Sequence, residues 1–304
     1  MKVLVTGATG FVGHAVLEPL LSSPHEVIAL RRNPAPQTAR AADSRSGASV
    51  SWRVGNVLDA DSLVTAMQGV DAVIHLVGII SESRRVTFRD LHVKATENVL
   101  EAMKRAGVRR VVHMSALGTR PNAVSEYHRS KWAAEERVLQ RGAAWTIFRP
   151  SLIYGPEDHF VNMFRRMLNF SPVLPVIGKG TAKFAPVHVT QVAEAFVKAL
   201  TAPESAGKVF DLCGPEQFTM PEILRAVMKA AGKKRTIVRL PLWMAWAQAV
   251  VLEFVLGRIT GVPPPLNRGQ IIMLEEGSIG DAAPADLLFD LQHRPFETCL
   301  REYA

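Results

Sequence analysis

The sequence predicts a doubly wound α/β fold, a parallel sheet followed by a smaller C-terminal α+β domain, on three observations. It opens with an apolar, branched run that meets a glycine turn and then a helix. Apolar strands then alternate with helices as far as Arg149-Pro150, and beyond that point prolines break the alternation.

Lys2-Val3-Leu4-Val5-Thr6 reads as the first strand, ending at Gly7, and a helical pattern runs on from Phe11 through Leu17, Leu20 and Leu21. Strands follow at Glu26–Leu30 and Val50–Val54, a helix at Ala60–Met67 and a strand at Ala72–Leu76. A long helix is expected from Arg89 to Ala106, a strand at Val111–Met114, a helix from Ser125 to Arg141 and a strand at Trp145–Phe148. Continuous apolar strands between helices belong to a parallel sheet covered on both faces, so residues 1–150 read as one doubly wound unit. Pro156, Pro172, Pro175 and Pro186 then punctuate shorter elements. The helix Val192–Leu200 has an apolar face that must be buried, so residues 186–202 are expected to return to the sheet. The remainder of 151–304 forms the smaller domain, with helices at Pro221–Ala231 and Leu242–Leu256, a stiff Pro263-Pro264-Pro265 and a last helix at Phe296–Tyr303.

The composition is that of a globular chain, with 48% hydrophobic and 21% charged residues. A net charge of +8 points to an anionic ligand or a membrane surface. The basic pairs Arg31-Arg32, Arg84-Arg85, Arg109-Arg110, Arg165-Arg166 and Lys233-Lys234 are scattered, with no nucleic-acid motif beside them, so no nucleic-acid partner is expected. Cys213 and Cys299 are far apart and fit neither a disulfide framework nor a zinc site; two buried thiols and no metal are expected. The first strand begins at Lys2 with no apolar leader before it, from which a cytoplasmic location is expected.

Three motifs carry chemistry. Gly7-Ala8-Thr9-Gly10-Phe11-Val12-Gly13 sets glycines three apart in the first strand-to-helix turn, where a pyrophosphate can lie on the N–H groups of the helix start. That is the Rossmann-type dinucleotide turn. The second strand ends in Ala29-Leu30-Arg31-Arg32-Asn33, with no carboxylate for a free ribose hydroxyl and two guanidinium groups able to hold a 2′-phosphate. NADP(H) is therefore expected ahead of NAD(H). Tyr127-His128-Arg129-Ser130-Lys131 places a phenol and an ammonium four apart on one helix face, where their proton chemistry can couple.

In this order, the glycine turn, His75-Leu76-Val77-Gly78, Tyr127 with Lys131, and Arg149-Pro150 followed by Tyr154-Gly155-Pro156 resemble the extended and atypical short-chain dehydrogenase/reductases of the epimerase/dehydratase type. Ser115-Ala116-Leu117-Gly118, Leu240-Pro241-Leu242-Trp243 and Pro263–Leu266 bring the chain near the nucleotide-binding accessory subunit family of respiratory complex I. The resemblance implies that Gly7, Thr9, Gly10, Phe11 and Gly13 meet the pyrophosphate and Asn56 and Val57 the adenine, with Arg31 and Arg32 placed at the 2′-phosphate by the strand-end reading above. It implies that Leu76, Val77, Gly78 and Pro150 pass beside the cofactor, that Tyr127 is the acid/base, that Lys131 holds the nicotinamide ribose, and that Ser115 orients a carbonyl. The chain departs from active relatives in its short Ser115–Tyr127 interval, in Asn56 where an acid is usual and in His92 where an asparagine is usual.

Three functions follow from these readings. The first is an NADP(H)-dependent oxidoreductase moving hydride to or from the carbonyl or alcohol of an unspecified small molecule. The second is a non-catalytic NADP(H)-binding accessory protein of a respiratory or quinone-related membrane assembly. The third is a sugar-nucleotide epimerase or dehydratase. The apolar stretch 240–256 is interrupted by Pro241, Gln248 and Glu253 and is too short to span a bilayer. It reads either as a helix packed over the cleft or as a surface that docks peripherally on a membrane or membrane partner.

Overall fold

The computed structural model describes residues 1–33, 50–142, 144–260 and 264–303. Its N-terminal part runs β1 (Lys2–Thr6), α1 (Phe11–Leu21), β2 (Glu26–Arg31), β3 (Ser51–Val54), α2 (Ala60–Ala66) and β4 (Ala72–His75). It continues through α3 (Ala95–Arg105), β5 (Arg110–Met114), α4 (Glu126–Leu139) and β6 (Ala144–Pro150). Beyond these come β7 (Ile153–Tyr154), α5 (Phe160–Phe170), β8 (Val173–Ile177), β9 (Lys183–Phe184), β10 (Val187–His188) and α6 (Val189–Ala199). The chain closes with β11 (Lys208–Leu212), β12 (Phe218–Thr219), α7 (Met220–Ala230), β13 (Thr236–Leu240), α8 (Leu242–Leu252), α9 (Arg268–Glu276), α10 (Ala283–Phe289) and α11 (Phe296–Arg301).

The main sheet has seven strands in the order β11-β6-β5-β4-β1-β2-β3, all parallel. Its central strands are apolar on both faces because both are covered. One face carries α1, α6 and α10 over Val3, Val5, Ile74 and Phe148; the other carries α2, α3 and α4 over Leu4, Ile28, Val73 and Ile147. A separate core joins α5, β8, α7 and α11 around Phe164, Leu174, Ile223 and Phe296. Asp59 accepts the N–H groups of Asp61 and Ser62 to start α2, and the Thr219–Glu222 capping box starts α7.

Two helices depart from simple periodicity. The long helix expected over Arg89–Ala106 begins as a π-helical turn, Arg89–Lys94, before α3. The helix expected over Leu242–Leu256 is α-helical to Leu252 and continues in π geometry over Glu253–Thr260. β11, which the sequence pattern did not signal, adds the seventh strand beside β6. Pro263 of the proline run lies outside the described residues, whereas Pro264 is buried.

Candidate cofactor and active site

Strand order reverses between β1 and β4, and ligands of open α/β sheets lie above the C-terminal ends of such a pair. Gly7 turns the chain there with φ +77°, a left-handed conformation, and a Cβ on it would come within 3.1 Å of the Leu76 carbonyl carbon and the Val77 nitrogen. A Cβ on Gly13 would stand 2.2 Å from the Gly7 carbonyl oxygen, so only glycine lets α1 close on the turn. Gly10 caps α1 with no side chain, and the first helical turn holds no acid. Thr9 and Gly10 are exposed and Phe11 is half-buried beside Gly155. The Gly10 N–H closes the turn on the Gly7 carbonyl at 3.0 Å, which leaves the first-turn N–H groups of α1 for a pyrophosphate.

At the end of β2 the Arg31 guanidinium lies 5.4 Å over the Trp52 ring. No carboxylate pairs with it among the described residues, and its buried Nε has no partner among them either. Arg32 is exposed. Asn56 folds its own turn, with Oδ1 accepting the Leu58 N–H at 3.0 Å and its N–H donating to Ser62 Oγ at 2.9 Å. Val57 is a buried apolar wall whose carbonyl is held by Asn98 Nδ2 at 2.9 Å. Asn98 escaped the sequence reading; its only signal was an amide among the inward residues of α3, Ala95, Val99 and Ala102.

Tyr127 and Lys131 share α4, one turn apart. The Lys131 ammonium is buried, donates to the Met114 carbonyl at 3.0 Å, and lies 2.9 Å from where a Cβ on Gly78 would stand. Burial pushes its pKa down to about 8, against an upward pull from Glu135. Glu135 is itself buried in a bidentate pair with Arg149, at 2.9 and 2.5 Å. The Tyr127 ring packs edge-on against Phe88, His92 and His128, and its hydroxyl has no hydrogen bond among the described residues. Burial pushes this phenol up to about 12.

A chain of hydrogen bonds fixes the surroundings and defines two histidine tautomers. Thr96 Oγ1 donates to the His92 carbonyl at 2.6 Å, so it accepts from His75 Nε2 at 3.2 Å, and Thr6 Oγ1 donates to His75 Nδ1 at 2.7 Å. The Ile79 N–H donates to His92 Nε2 at 3.1 Å, so His92 Nδ1 donates to Ser130 Oγ at 2.8 Å, which in turn donates to the Tyr127 carbonyl. Both rings are neutral. Burial, helped by the Lys131 charge, lowers His75 to about 3 and His92 to about 2. His113 stacks on His75 with centroids 5.3 Å apart, and neither of its ring nitrogens has a partner among the described residues.

Ser115 is buried, and its Oγ donates to Thr119 Oγ1 at 3.4 Å; no hydrogen bond joins it to Tyr127 among the described residues. Pro150 is buried, pairs with Leu212 of β11 and accepts the Leu117 N–H at 2.9 Å. Glu276 at the end of α9 reaches this region, where it meets Arg120 at 2.6 Å and lies 3.5 Å from His128 Nδ1. Their distance in sequence hid this contact.

The model of the NAD dependent epimerase/dehydratase family matches residues 3–213, taking in the glycine turn, Tyr127 and Lys131. The chain belongs to that family. It has the family's NAD(P)-binding fold. It is 33% identical over 281 residues, 90% of this chain and 67% of the relative, to NADH dehydrogenase (ubiquinone) 1 alpha subcomplex subunit 9, mitochondrial, of Arabidopsis thaliana. Its identity to the Mus musculus protein of the same name is 30%, covering 96% of this chain and 76% of the relative. A ceramide reductase of Caulobacter vibrioides is 28% identical, over 79% of this chain and 73% of the relative. The fold is also that of dTDP-glucose 4,6-dehydratase from Streptomyces venezuelae, solved with NAD and TYD bound, at a TM-score of 0.77 and 21% identity over 100% of this chain and 95% of that one.

Proposed function

We propose that this chain binds NADP(H) at the switch point and reduces a carbonyl compound, with Tyr127 delivering the proton. One observation carries the reading: a buried ammonium, Lys131, with one hydrogen-bond acceptor among the described residues, stands beside Gly78 and one turn from a phenol whose hydroxyl makes no hydrogen bond among them. Gly7, Thr9, Gly10, Phe11 and Gly13 hold the pyrophosphate, and Arg31, steadied on Trp52 and assisted by Arg32, takes the 2′-phosphate. Asn56 and Val57 border the adenine, while Leu76, Val77, Gly78 and Pro150 line the path beyond. When bound, the nicotinamide supplies the hydride.

With its pKa raised to about 12, Tyr127 is protonated throughout the physiological range. Ionising it at pH 7 would require about 7 kcal/mol, so it is in the state to donate, and an alkoxide forming at the substrate is the stronger base. Lys131 stays a cation near neutral pH and binds ribose hydroxyls with the donors that Met114 leaves over. A cytoplasmic location is part of this reading.

A second reading is favoured by Ser115. Its hydroxyl is engaged by Thr119, so it would have to exchange that partner to orient a carbonyl. The chain would then be an NADP(H)-binding accessory protein of a respiratory or quinone-related assembly, in keeping with the names of its mitochondrial relatives. Sugar-nucleotide epimerisation or dehydration, which retains NAD, is disfavoured by Arg31, with which no carboxylate pairs among the described residues.

Turnover of a carbonyl panel with NADPH separates the readings. Tyr127→Phe should lower it by about 10²–10⁴ with cofactor affinity kept. Unchanged turnover removes Tyr127 from the chemistry, and an inert protein that still binds NADPH leaves the accessory role.

A further inference from the structure

An apolar helix turned outward is a feature that the cofactor site does not use. In α8 only Ala245 and Ala249 are buried, packed with Ile271 of α9, and Trp246 lies half-buried beside them. Trp243 is 71% exposed, Val251 59% and Phe254 57%. Trp243, Val250 and Phe254, spaced by seven and then four, stand on one face, away from the alanines. The π-helical segment continues the pattern with Val255 and Ile259 exposed. Water gives no reason to turn the small side chains inward and the large apolar ones outward, and a contiguous face of this kind marks an interaction surface.

Its surroundings identify the occupant. Residues 233–260 hold five cations and a single acid, Glu253, which Arg268 neutralises at 2.9 Å. Arg239 is exposed at the end of β13 that leads into α8, and Lys234 is exposed before its start. The Gly178 N–H donates to the Leu240 carbonyl at 2.9 Å, which sets exposed Lys179 at the same edge. An apolar helix rimmed by cations complements an apolar layer bounded by phosphates. No helix among the described residues is long and apolar enough to cross a membrane, so the element would lie in the surface.

We propose that α8 and the π-helical segment after it dock in the plane of an anionic lipid bilayer, with Trp243 and Phe254 in the interface and Lys179, Lys234 and Arg239 on lipid phosphates. The proposal stands whether or not the chain is an enzyme.

Flotation of the full chain with vesicles tests it, comparing phosphatidylcholine containing about a third phosphatidylglycerol with phosphatidylcholine alone. At low salt, binding to the anionic vesicles should exceed binding to the neutral ones by at least about tenfold and should fall as salt is added. Lys234→Glu with Arg239→Glu should weaken it about tenfold, and Trp243→Ser with Phe254→Ser should abolish it. Circular dichroism and melting temperature serve as the check that both variants fold. Three outcomes overturn the proposal: protein left in the dense fraction with anionic vesicles at low salt, a folded Trp243→Ser, Phe254→Ser variant that floats like the parent, or a lipid-free dimer that this variant dissociates, which would make a second copy the occupant.

Discussion

The region around Lys131 and the surface of α8 invert the ordinary partition of a protein in opposite senses. Around Lys131 the fold encloses an ammonium, three neutral histidines and a carboxylate paired with arginine. Along α8 it turns tryptophan, valine and phenylalanine to the outside. The first inversion is offset from within, except at His113, by hydrogen bonds that run from Thr6 to the Tyr127 backbone. The second has no offset inside the described residues and calls for one outside. The contrast teaches that a buried polar set with compensation belongs to a site, and that an uncompensated apolar face belongs to an interface.

The largest test of this comparison is acid. His75 and His92 are lowered to about 3 and about 2, and His113 also lies well below its ordinary value of 6.5, all by burial first. Below pH 6.5 the unfolded chain binds protons that these folded rings refuse, so stability falls as pH falls. The loss is about 1.4 kcal/mol per histidine per pH unit, or roughly 4 kcal/mol for His75 and His92 at pH 5, and His113 adds to it in the same direction. Urea unfolding at pH 7 and pH 5 measures it, and equal stabilities would mean that the rings are not buried neutral.

Lys131→Met should come next. Its folded pKa of about 8 lies below the ordinary 10.5, so the charge opposes folding at neutral pH and the penalty fades as pH rises from 8 to 10.5. The variant should be more stable than the parent by about 1–3 kcal/mol in thermal unfolding while binding NADPH at least about tenfold more weakly. A loss of stability would show that the ammonium is well paired. His113→Phe, which removes two nitrogens without partners among the described residues, should raise stability by about 1–2 kcal/mol and reduce the acid sensitivity. The smallest effect belongs to the other region: Trp243→Ser should change stability by less than about 0.5 kcal/mol, and a larger loss would place Trp243 in a core.

Much of the first region was legible in the sequence because its signals are local. The glycine turn, the strands of the sheet and the Tyr127–Lys131 pair each follow from spacings of a few residues. What lay beyond reach depends on distant contacts. β11 joins the sheet beside β6 only after the excursion from β7 to α6, Glu276 meets Arg120 across 156 positions, and Asn98 reaches Val57 across 41. Periodicity announced helices over Arg89–Ala106 and Leu242–Leu256 but not their π-helical segments, since one inserted residue per turn leaves the apolar pattern nearly intact. The apolar stretch near Trp243 was visible, whereas its outward direction was set by which face α9 covers.

Calorimetric titration with NADPH and NADH tests the central claim, that the buried polar region serves a 2′-phosphorylated dinucleotide, most directly. NADPH should bind at least tenfold more tightly, a difference of about 1.4 kcal/mol that fits one charge-assisted contact, and Arg31→Ala should erase the difference. Equal affinities, tighter NADH, or no heat with either cofactor would contradict it.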